Sequence, residues 1–228
     1  MSKNIKAIIF DLDGVIINSN PAIVTFWQEW TKKEQITLTV AQIMEWVYGR
    51  KVTATIEGLF GHVSNERKKE IAEAGYLFDC NMRPEGVSGV QDFIKNLTAI
   101  NFPIGVVTSS HHDRMIQMLE HIDVSKDFHH FITAHDVTNG KPHPEPYLKM
   151  AEKLGLHPSA CLVFEDAISG IQSAVAAGMQ VIGIGDLYYA NALLEAGAKE
   201  VITDFNSIDI NFTHLKTSNG ESYWLISS

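Results

Sequence analysis

The sequence predicts an α/β fold, in which a doubly wound parallel sheet carries an inserted α-helical domain. Two observations indicate the sheet. Short apolar runs alternate with helical segments of about ten residues, and reactive polar side chains follow the ends of several of these runs. The third observation is a long stretch, residues 18–82, that has helical periodicity and no convincing strand.

The first predicted strand is the apolar run at residues 6–10, which stops at Asp11. Asp13 follows two residues later, and Gly14 then lets the chain turn. In an extended segment residues i and i+2 point the same way, so both carboxylates would face one space at the carboxyl end of the strand. Two carboxylates this close attract a divalent cation. The alternative, a buried strand that ends in an Asx turn, stays open for this stretch alone.

The predicted insert begins with a helix-start signal, in which polar residues from Asn18 to Asn20 precede Pro21. Apolar side chains then recur at helical spacing as far as Asn81. We therefore predict that residues 18–82 form an α-helical domain and that residues 1–17 and 83–228 form the α/β core. The helices of the insert are expected to break at four glycines: Gly49, Gly58, Gly61 and Gly75. Three tryptophans are expected to form its core rather than to stack on a ligand: Trp27, Trp30 and Trp46.

The rest of the chain alternates between the two kinds of secondary structure, as is typical of a Rossmann-like sheet. Helices are predicted at 90–100, 113–121, 147–154 and 167–177, and strands at 102–107, 131–133, 160–164, 181–184 and 199–202. Residues 139–146 are predicted to form a rigid loop, because three prolines in five residues exclude the interior of a helix or strand. The tail from Ser207 onward has only weak alternation, and we assign it no place.

Composition narrows the class of protein. The formal net charge is −9 at pH 7, which argues against a general nucleic-acid binder, because such proteins present a basic face. No apolar run approaches the length of a membrane span, and no leader segment is recognised. Cys80 and Cys161 have no short ligand spacing and are expected to be reduced. We therefore expect a cytoplasmic protein, a monomer or weak homo-oligomer, with neither nucleic acid nor membrane as a partner.

Further reactive side chains follow later strands. Thr108 and Ser109 end one strand, Lys141 lies in the proline-rich loop, and Glu165 and Asp166 end another strand. Parallel strands bring their carboxyl ends to one edge of a sheet, so we expect these groups to converge with the two aspartates. The set suits phosphoryl transfer, in which one carboxylate attacks phosphorus, a second moves a proton, and Mg²⁺ and a lysine offset charge. Taken singly, each group has a plainer alternative, such as a helix cap, a solvated lysine or a first-turn acid.

In this order the motifs resemble the four signature motifs of the haloacid dehalogenase superfamily: Asp11-x-Asp13-Gly14, Thr108, Lys141-Pro142 and Glu165-Asp166. A helical insert directly after the first motif resembles the C1 cap of the branch that holds β-phosphoglucomutase, phosphoglycolate phosphatase and small sugar phosphatases. Within that branch, residues 20–27 and 140–148 are most similar to the glycerol-3-phosphatase and 2-deoxyglucose-6-phosphatase group. The resemblance covers nearly the whole chain and implies a small phosphorylated metabolite as the substrate.

The resemblance implies a role for each motif residue. Asp11 would be the nucleophile and a Mg²⁺ ligand. Asp13 would be the general acid/base, and its main-chain carbonyl would also bind the metal. Asp166 would complete the metal shell, and Glu165 would support that shell directly or through water. Four residues would hold the phosphoryl group or the substrate beside it: Thr108, Lys141, Ser109 and Gly14.

Two departures from the mutase branch bear on the reaction. That branch has a histidine in the first cap helix where this chain has Ile23, and a cap arginine where this chain aligns Lys51. Lysine cannot make the planar, bidentate contact of arginine. Arg50 and Lys51 are expected to contact the substrate from the cap, although a solvated basic turn is an equal alternative. His111 and His112, which follow the Thr108 motif, could border the site, but surface or helix-start histidines are the favoured interpretation.

We therefore predict a Mg²⁺-dependent phosphatase that hydrolyses a small sugar or polyol phosphate through an aspartyl-phosphate intermediate. A β-phosphoglucomutase-like hexose-phosphate mutase is the first alternative. The second is a non-catalytic binding protein that kept the fold. That alternative predicts a broken set of motif residues, whereas the set in this sequence is intact.

Overall fold

The computed structural model describes residues 3–186, 188–211, 214–218 and 220–225. The strands described are β1 (Lys3–Ile5), β2 (Ala7–Phe10), β3 (Ile104–Val107), β4 (Phe131–Ile132), β5 (Cys161–Glu165), β6 (Gln180–Ile184), β7 (Glu200–Ile202), β8 (Ile208–Asn211), β9 (His214–Thr217) and β10 (Ser222–Leu225). Strands β2 to β7 form a six-stranded parallel sheet in the order β4-β3-β2-β5-β6-β7. The predicted α/β class is confirmed.

The α-helices described are α1 (Asn20–Lys33), α2 (Val40–Trp46), α3 (Val52–Leu59), α4 (Asn65–Asn81), α5 (Val90–Ala99), α6 (His112–His121), α7 (Glu145–Leu154), α8 (Ile168–Ala176) and α9 (Ala190–Glu195). Helices α5 to α9 cover the two faces of the parallel sheet. In β2, Ile8 and Phe10 join the hydrophobic cluster on the side of α5 and α6, whereas Ala7 and Ile9 join the cluster on the side of α7 and α8. Burial on both faces explains why the strands are apolar without alternation.

Strand β2 lies in the middle of the sheet, between β3 and β5. Phe10 pairs with Val106 of β3 and with Phe164 of β5. The chain therefore leaves three neighbouring strands at the same edge. The residues that follow or end these strands are the predicted reactive ones: Asp11, Thr108 and Glu165.

Helices α1 to α4 pack around a hydrophobic cluster of their own. Trp27 and Trp30 are buried in this cluster, and Trp46 packs against it, so the expected core role of the tryptophans is confirmed. We call α1 to α4 the helical layer. Assigning residues 18–82 to a separate domain remains a prediction.

Two of the predicted helix breaks are wrong. Gly49 and Gly61 lie between helices as expected, but Gly58 lies inside α3 and Gly75 lies inside α4. A Cβ atom on Gly58 would overlap the ring of Trp46. This glycine is needed for close packing between helices rather than for a turn, and sequence periodicity does not distinguish the two needs.

The tail forms a second sheet with the chain that precedes β2. Strands β8, β9 and β10 are antiparallel neighbours, and β1 pairs with β10 in parallel, in the order β1-β10-β9-β8. The alternation seen in the sequence has a structural cause, since Tyr223 and Leu225 are buried and Trp224 between them is exposed. A bend at Lys6 separates β1 from β2, so a continuous sequence segment contributes to two sheets.

The other predicted elements agree with the structure to within a few residues, although the sequence did not predict α9. Helix α7 begins at Glu145, so Pro146 lies in its first turn, where a missing N–H breaks no intrahelical bond. Cys80 and Cys161 are free thiols, as expected. In the part of the chain that the structure describes, we find no helix with the length and apolarity needed to span a bilayer.

Candidate active site

A buried cluster of ion pairs lies at the carboxyl end of β2. The Nζ atom of Lys141 lies 2.6 Å from Oδ1 of Asp11 and 2.5 Å from Oε1 of Glu165. The side chain of Lys141 is 2% exposed, so it is not a solvated surface lysine. Burial disfavours the charged form, but Asp11 and Glu165 outweigh that effect and raise the pKa of Lys141.

Glu165 is fixed from four directions. Oε1 accepts hydrogen bonds from Lys141 and, at 2.9 Å, from the hydroxyl of Tyr147. Oε2 accepts the main-chain N–H groups of Asp166 and the residue after it, both at 3.1 Å. Gly170 provides the space for the carboxyl group, because a Cβ atom there would overlap it. Glu165 therefore anchors Lys141 and has little freedom to reorient toward a metal ion.

Three carboxylates share this buried space. Oxygen atoms of Asp11, Glu165 and Asp166 all lie within 4.8 Å of one another. Burial and the nearby Glu165 outweigh the effect of Lys141 and raise the pKa of Asp11 to about 7. Burial, with Glu165 and Asp11 beside it, also raises the pKa of Asp166 well above its usual range. The protein alone therefore opposes full ionisation of this cluster.

The donor set fits a divalent cation. Three carboxylates face one lysine, and Oδ1 of Asp166 is buried with no hydrogen-bond partner among the described residues. Mg²⁺ prefers carboxylate oxygens, and a positive ion beside Asp11 and Asp166 would favour their charged forms. The carboxylate of Asp13 lies outside this cluster. Only its main-chain carbonyl remains as the ligand that the resemblance implies.

Asp13 is held instead by Arg114. The guanidinium donates from one nitrogen to Oδ2 at 2.7 Å and from another to Oδ1 at 2.8 Å. Ser19 donates to Oδ1 at 2.6 Å and Ser110 donates to Oδ2 at 3.3 Å. Burial alone would raise the pKa of Asp13, but Arg114 and the two hydroxyls hold that pKa below its ordinary value. Asp11 and Asp13 thus lie in contrasting electrostatic environments.

A cavity of about 330 Å³ lies between the helical layer and the carboxyl ends of β2 and β3. Its lining includes four of the predicted residues from the core: Asp11, Asp13, Thr108 and Ser109. Arg50 and Lys51 line it from the helical layer. Their contact with the substrate remains a prediction. Ile23 also contributes to the wall. Lys141 is not part of the lining but contacts Asp11, which is.

Arg50 and Lys51, two cations of the helical layer that line the first cavity, have different surroundings. Arg50 is half-buried, donates from Nε to the main-chain oxygen of Glu45 at 3.0 Å and lies over the ring of Trp46. Lys51 is exposed and occupies the N-cap position of α3, where its side chain makes no capping hydrogen bond. The hydroxyl of Ser109 donates to the main-chain oxygen of Gly49 at 3.3 Å and so joins the core to the helical layer.

Gly14 lies on the other side of the carboxylates. It has a φ of +77°, and a Cβ atom there would overlap Asp166 and Asn20. Asn20 donates to Oδ2 of Asp166 at 2.6 Å. Gly14 and Asp166 line a second cavity of about 480 Å³, which also contains Asp186. The structure therefore places Gly14 beside the predicted metal ligands and away from the first cavity.

Sequence reasoning missed several residues of the site. Arg114, Ser110 and Asn20 were given no role in the site, although each contacts a predicted catalytic or metal-binding aspartate. His111 lines the first cavity with His135, and their ring nitrogens lie 2.7 Å apart. A signal for Arg114 existed, because a cation in the first turn of a helix opposes the helix dipole.

A family model described as haloacid dehalogenase-like hydrolase matches residues 8–184. The chain belongs to the haloacid dehalogenase-like hydrolases. Glycerol-1-phosphate phosphohydrolase 2 of Saccharomyces cerevisiae is 31% identical to this hydrolase, over 97% of this chain and 91% of the yeast protein.

Two solved structures extend the comparison. A HAD hydrolase of family IA, variant 3, from Entamoeba histolytica has a TM-score of 0.74 and 30% identity, covering 90% of this chain and 96% of that one. A β-phosphoglucomutase from Clostridium difficile has a TM-score of 0.70 and 25% identity, covering 90% and 94%. The resemblance, the fold and the prediction of a phosphoric monoester hydrolase are thereby confirmed. The role of each site residue remains a prediction.

Proposed function

We propose that this hydrolase is a Mg²⁺-dependent phosphatase that acts on a small sugar or polyol phosphate. The placement of Asp11 carries the proposal. Its carboxylate lines the first cavity, contacts the buried ammonium of Lys141 and belongs to the cluster with Glu165 and Asp166. A carboxylate in this position can attack phosphorus, while the lysine and a metal ion offset the charge of the phosphoryl group.

The proposed reaction has two steps. In the first, a bond forms between a carboxylate oxygen of Asp11 and phosphorus, and the ester P–O bond breaks. The leaving oxygen takes a proton from Asp13, which is ionised in the free protein and would take up that proton from solvent when the anionic ester enters beside it. In the second, Asp13 takes a proton from water, and that water attacks phosphorus. The P–O bond to Asp11 then breaks, which releases phosphate and restores the Asp11 carboxylate.

The other site residues bind and orient. Lys141 and Thr108 would hold phosphoryl oxygens, with Ser109 beside them. When bound, Mg²⁺ would offset the negative charge shared by the phosphoryl group and the carboxylates. Its ligands in the chain would be Asp11, Asp166 and the main-chain carbonyl of Asp13. Glu165 would act on this set through Lys141.

Residues 18–82 are proposed to act as a cap that excludes bulk water during transfer and opens for release. The contact between Ser109 and Gly49 spans the two parts. Ile17 forms an isolated bridge with Gly86, so the two chain connections to the helical layer run side by side. Residues 18–20, with Gly86 and Gly89, are the proposed hinge.

The first cavity supports a small substrate. Its volume of about 330 Å³ is at the lower end of the range for ligand pockets. Arg50 and Lys51 suit an anion, and the ring nitrogens of His111 and His135 suit hydroxyl groups. Similarity to a yeast protein named as a glycerol-1-phosphate phosphohydrolase favours polyol phosphates among the candidates.

A hexose-phosphate mutase is the second candidate, and the structural similarity to a β-phosphoglucomutase favours it. Ile23 argues against it, since an apolar side chain lines the cavity where that branch carries a histidine. Conversion of β-glucose 1-phosphate into glucose 6-phosphate without net phosphate release would establish the mutase.

The deciding experiment measures phosphate release from a panel of small esters, with Mg²⁺ and with EDTA. We expect release that needs the metal and is abolished in Asp11→Asn. Asp209→Asn removes an exposed carboxylate in β8 and serves as the control with unchanged activity. Wild-type protein that releases phosphate from no ester would contradict the proposal and favour a mutase or a non-catalytic binding protein.

A further inference from the structure

Arg114 lines the first cavity and has no part in the proposed reaction. Its side chain is 11% exposed, and its guanidinium donates hydrogen bonds to both carboxylate oxygens of Asp13 in a bidentate contact. The same guanidinium donates to the hydroxyl of Ser110 at 2.8 Å. Bidentate arginine–carboxylate pairs fix the plane as well as the position of the carboxyl group.

A second carboxylate faces the same arginine from the helical layer. Oδ1 of Asp79, near the end of α4, lies 3.6 Å from Nε of Arg114. That distance is about 0.6–0.7 Å longer than the commonest N–H···O hydrogen bond. Nε is buried and has no hydrogen-bond partner among the described residues. Arg114 thus lies between the acid/base candidate of the core and a carboxylate of the proposed cap.

We propose that Arg114 is a positioning residue, which aims the carboxyl group of Asp13 at the leaving oxygen and is itself held by Asp79. The inference rests on the proposed phosphatase function. In the first step the ester P–O bond breaks as the Asp11–phosphorus bond forms, and a proton moves from Asp13 to the leaving oxygen. Arg114 exchanges no proton. It keeps its contact with one oxygen of Asp13, releases the other for the transfer and turns its free N–H toward Asp79.

This role affects esters unequally. An alkyl ester needs a proton on its leaving oxygen, because an alkoxide is a poor leaving group. A p-nitrophenyl ester needs little help, because the nitrophenolate is stable without a proton. A residue that aims the acid therefore matters most for alkyl esters. A residue that grips the phosphoryl group would matter equally for both.

The test compares kcat and KM over a series of esters from p-nitrophenyl phosphate to alkyl phosphates. We expect Arg114→Gln to lose about 30-fold in kcat on alkyl esters and about threefold on p-nitrophenyl phosphate, because general acid catalysis contributes roughly 10²- to 10⁴-fold. Arg114→Lys is expected to recover part of the loss, since it restores a charge without the planar fork. Asp79→Ala should steepen the dependence of kcat on the leaving group by about threefold. This is less than the loss of a full hydrogen bond to a charged group would cause, because the contact of 3.6 Å is longer than a hydrogen bond.

Arg67→Gln is the matched control. Arg67 also pairs with two carboxylates, Glu34 at 2.6 Å and Glu70 at 2.5 Å, but it lies outside the first cavity. Arg67→Gln should leave the dependence of kcat on the leaving group unchanged. Activity of Arg114→Gln on p-nitrophenyl phosphate shows that the variant is folded.

Two results separate the inference from the function on which it rests. If wild-type protein releases phosphate from no ester, the proposed function fails and the inference fails with it. If wild-type protein is active but Arg114→Gln loses the same factor on every ester, or only raises KM, Arg114 binds substrate and the inference is overturned. If kcat of Asp79→Ala depends on the leaving group in the same way as kcat of wild type does, the part assigned to Asp79 is overturned.

Discussion

Replacing Asp11 with asparagine should remove a loss of stability that the wild-type protein suffers as the pH rises when no metal is bound. Asp11 is almost fully buried, and burial together with Glu165 raises its pKa from 3.8 to about 7. The folded chain therefore holds this proton more tightly than the unfolded chain does. Its contribution to stability is fully present below pH 3.8 and is lost as the pH rises through about 7.

The magnitude follows from that interval. Each pKa unit corresponds to about 1.4 kcal/mol, and roughly two units of the interval lie between pH 5 and pH 7. Wild-type protein should therefore lose about 2–3 kcal/mol between pH 5 and pH 8 from this group alone. Asparagine does not titrate, so the unfolding free energy of Asp11→Asn, measured relative to that of wild type, should rise by that amount over the same range.

Urea unfolding in EDTA at pH 5 and pH 8 measures the difference, with Asp209→Asn as the control for loss of an exposed carboxylate. Adding Mg²⁺ at pH 8 should narrow the gap, because a ligand that binds the folded state stabilises it. A difference in unfolding free energy that is equal at both pH values would refute the reasoning. It would mean that Asp11 stays ionised in the folded protein across this range.

Three further substitutions test the buried cluster, each by urea unfolding in EDTA at pH 7. Lys141→Met should lower the free energy of unfolding by about 3–5 kcal/mol, because it leaves buried carboxylates without a cation. A loss below about 1 kcal/mol would contradict this. Tyr147→Phe should lose about 1–3 kcal/mol through the bond to Glu165, and unchanged stability would show that the bond is dispensable. Gly170→Ala should lose about 1–3 kcal/mol by overlap with Glu165, whereas exposed Gly178→Ala, strained only by its positive φ, should lose less.

The reactive edge of the sheet was predictable because it depends on local patterns. Apolar runs mark the buried strands, and the parallel arrangement brings their ends together whatever the rest of the chain does. Asp11, Thr108 and Glu165 therefore emerge at one edge, as the sequence indicated. The convergence of Lys141 with Asp11 was also expected, but its ion pair with Glu165 was not.

Other parts depend on contacts between distant residues, which a single sequence does not reveal. Arg114 meets Asp13 across 101 positions, and Asn20 meets Asp166 across 146. Gly58 was misjudged for the same reason, since its role is set by Trp46 on a different helix. The tail could not be placed because its partner strand, β1, lies at the other end of the described chain.

The pairing of β1 with β10 has a consequence for synthesis on the ribosome. Ile5 is made early, but its partner Leu225 follows only after every strand of the parallel sheet. The parallel sheet has all its strands once Ile202 has emerged, whereas the four-stranded sheet must wait for β8 to β10. Closing so long a loop is slow and entropically unfavourable. The second sheet is therefore the last to assemble, and shortening the chain after β7 would leave β1 without its partner strand.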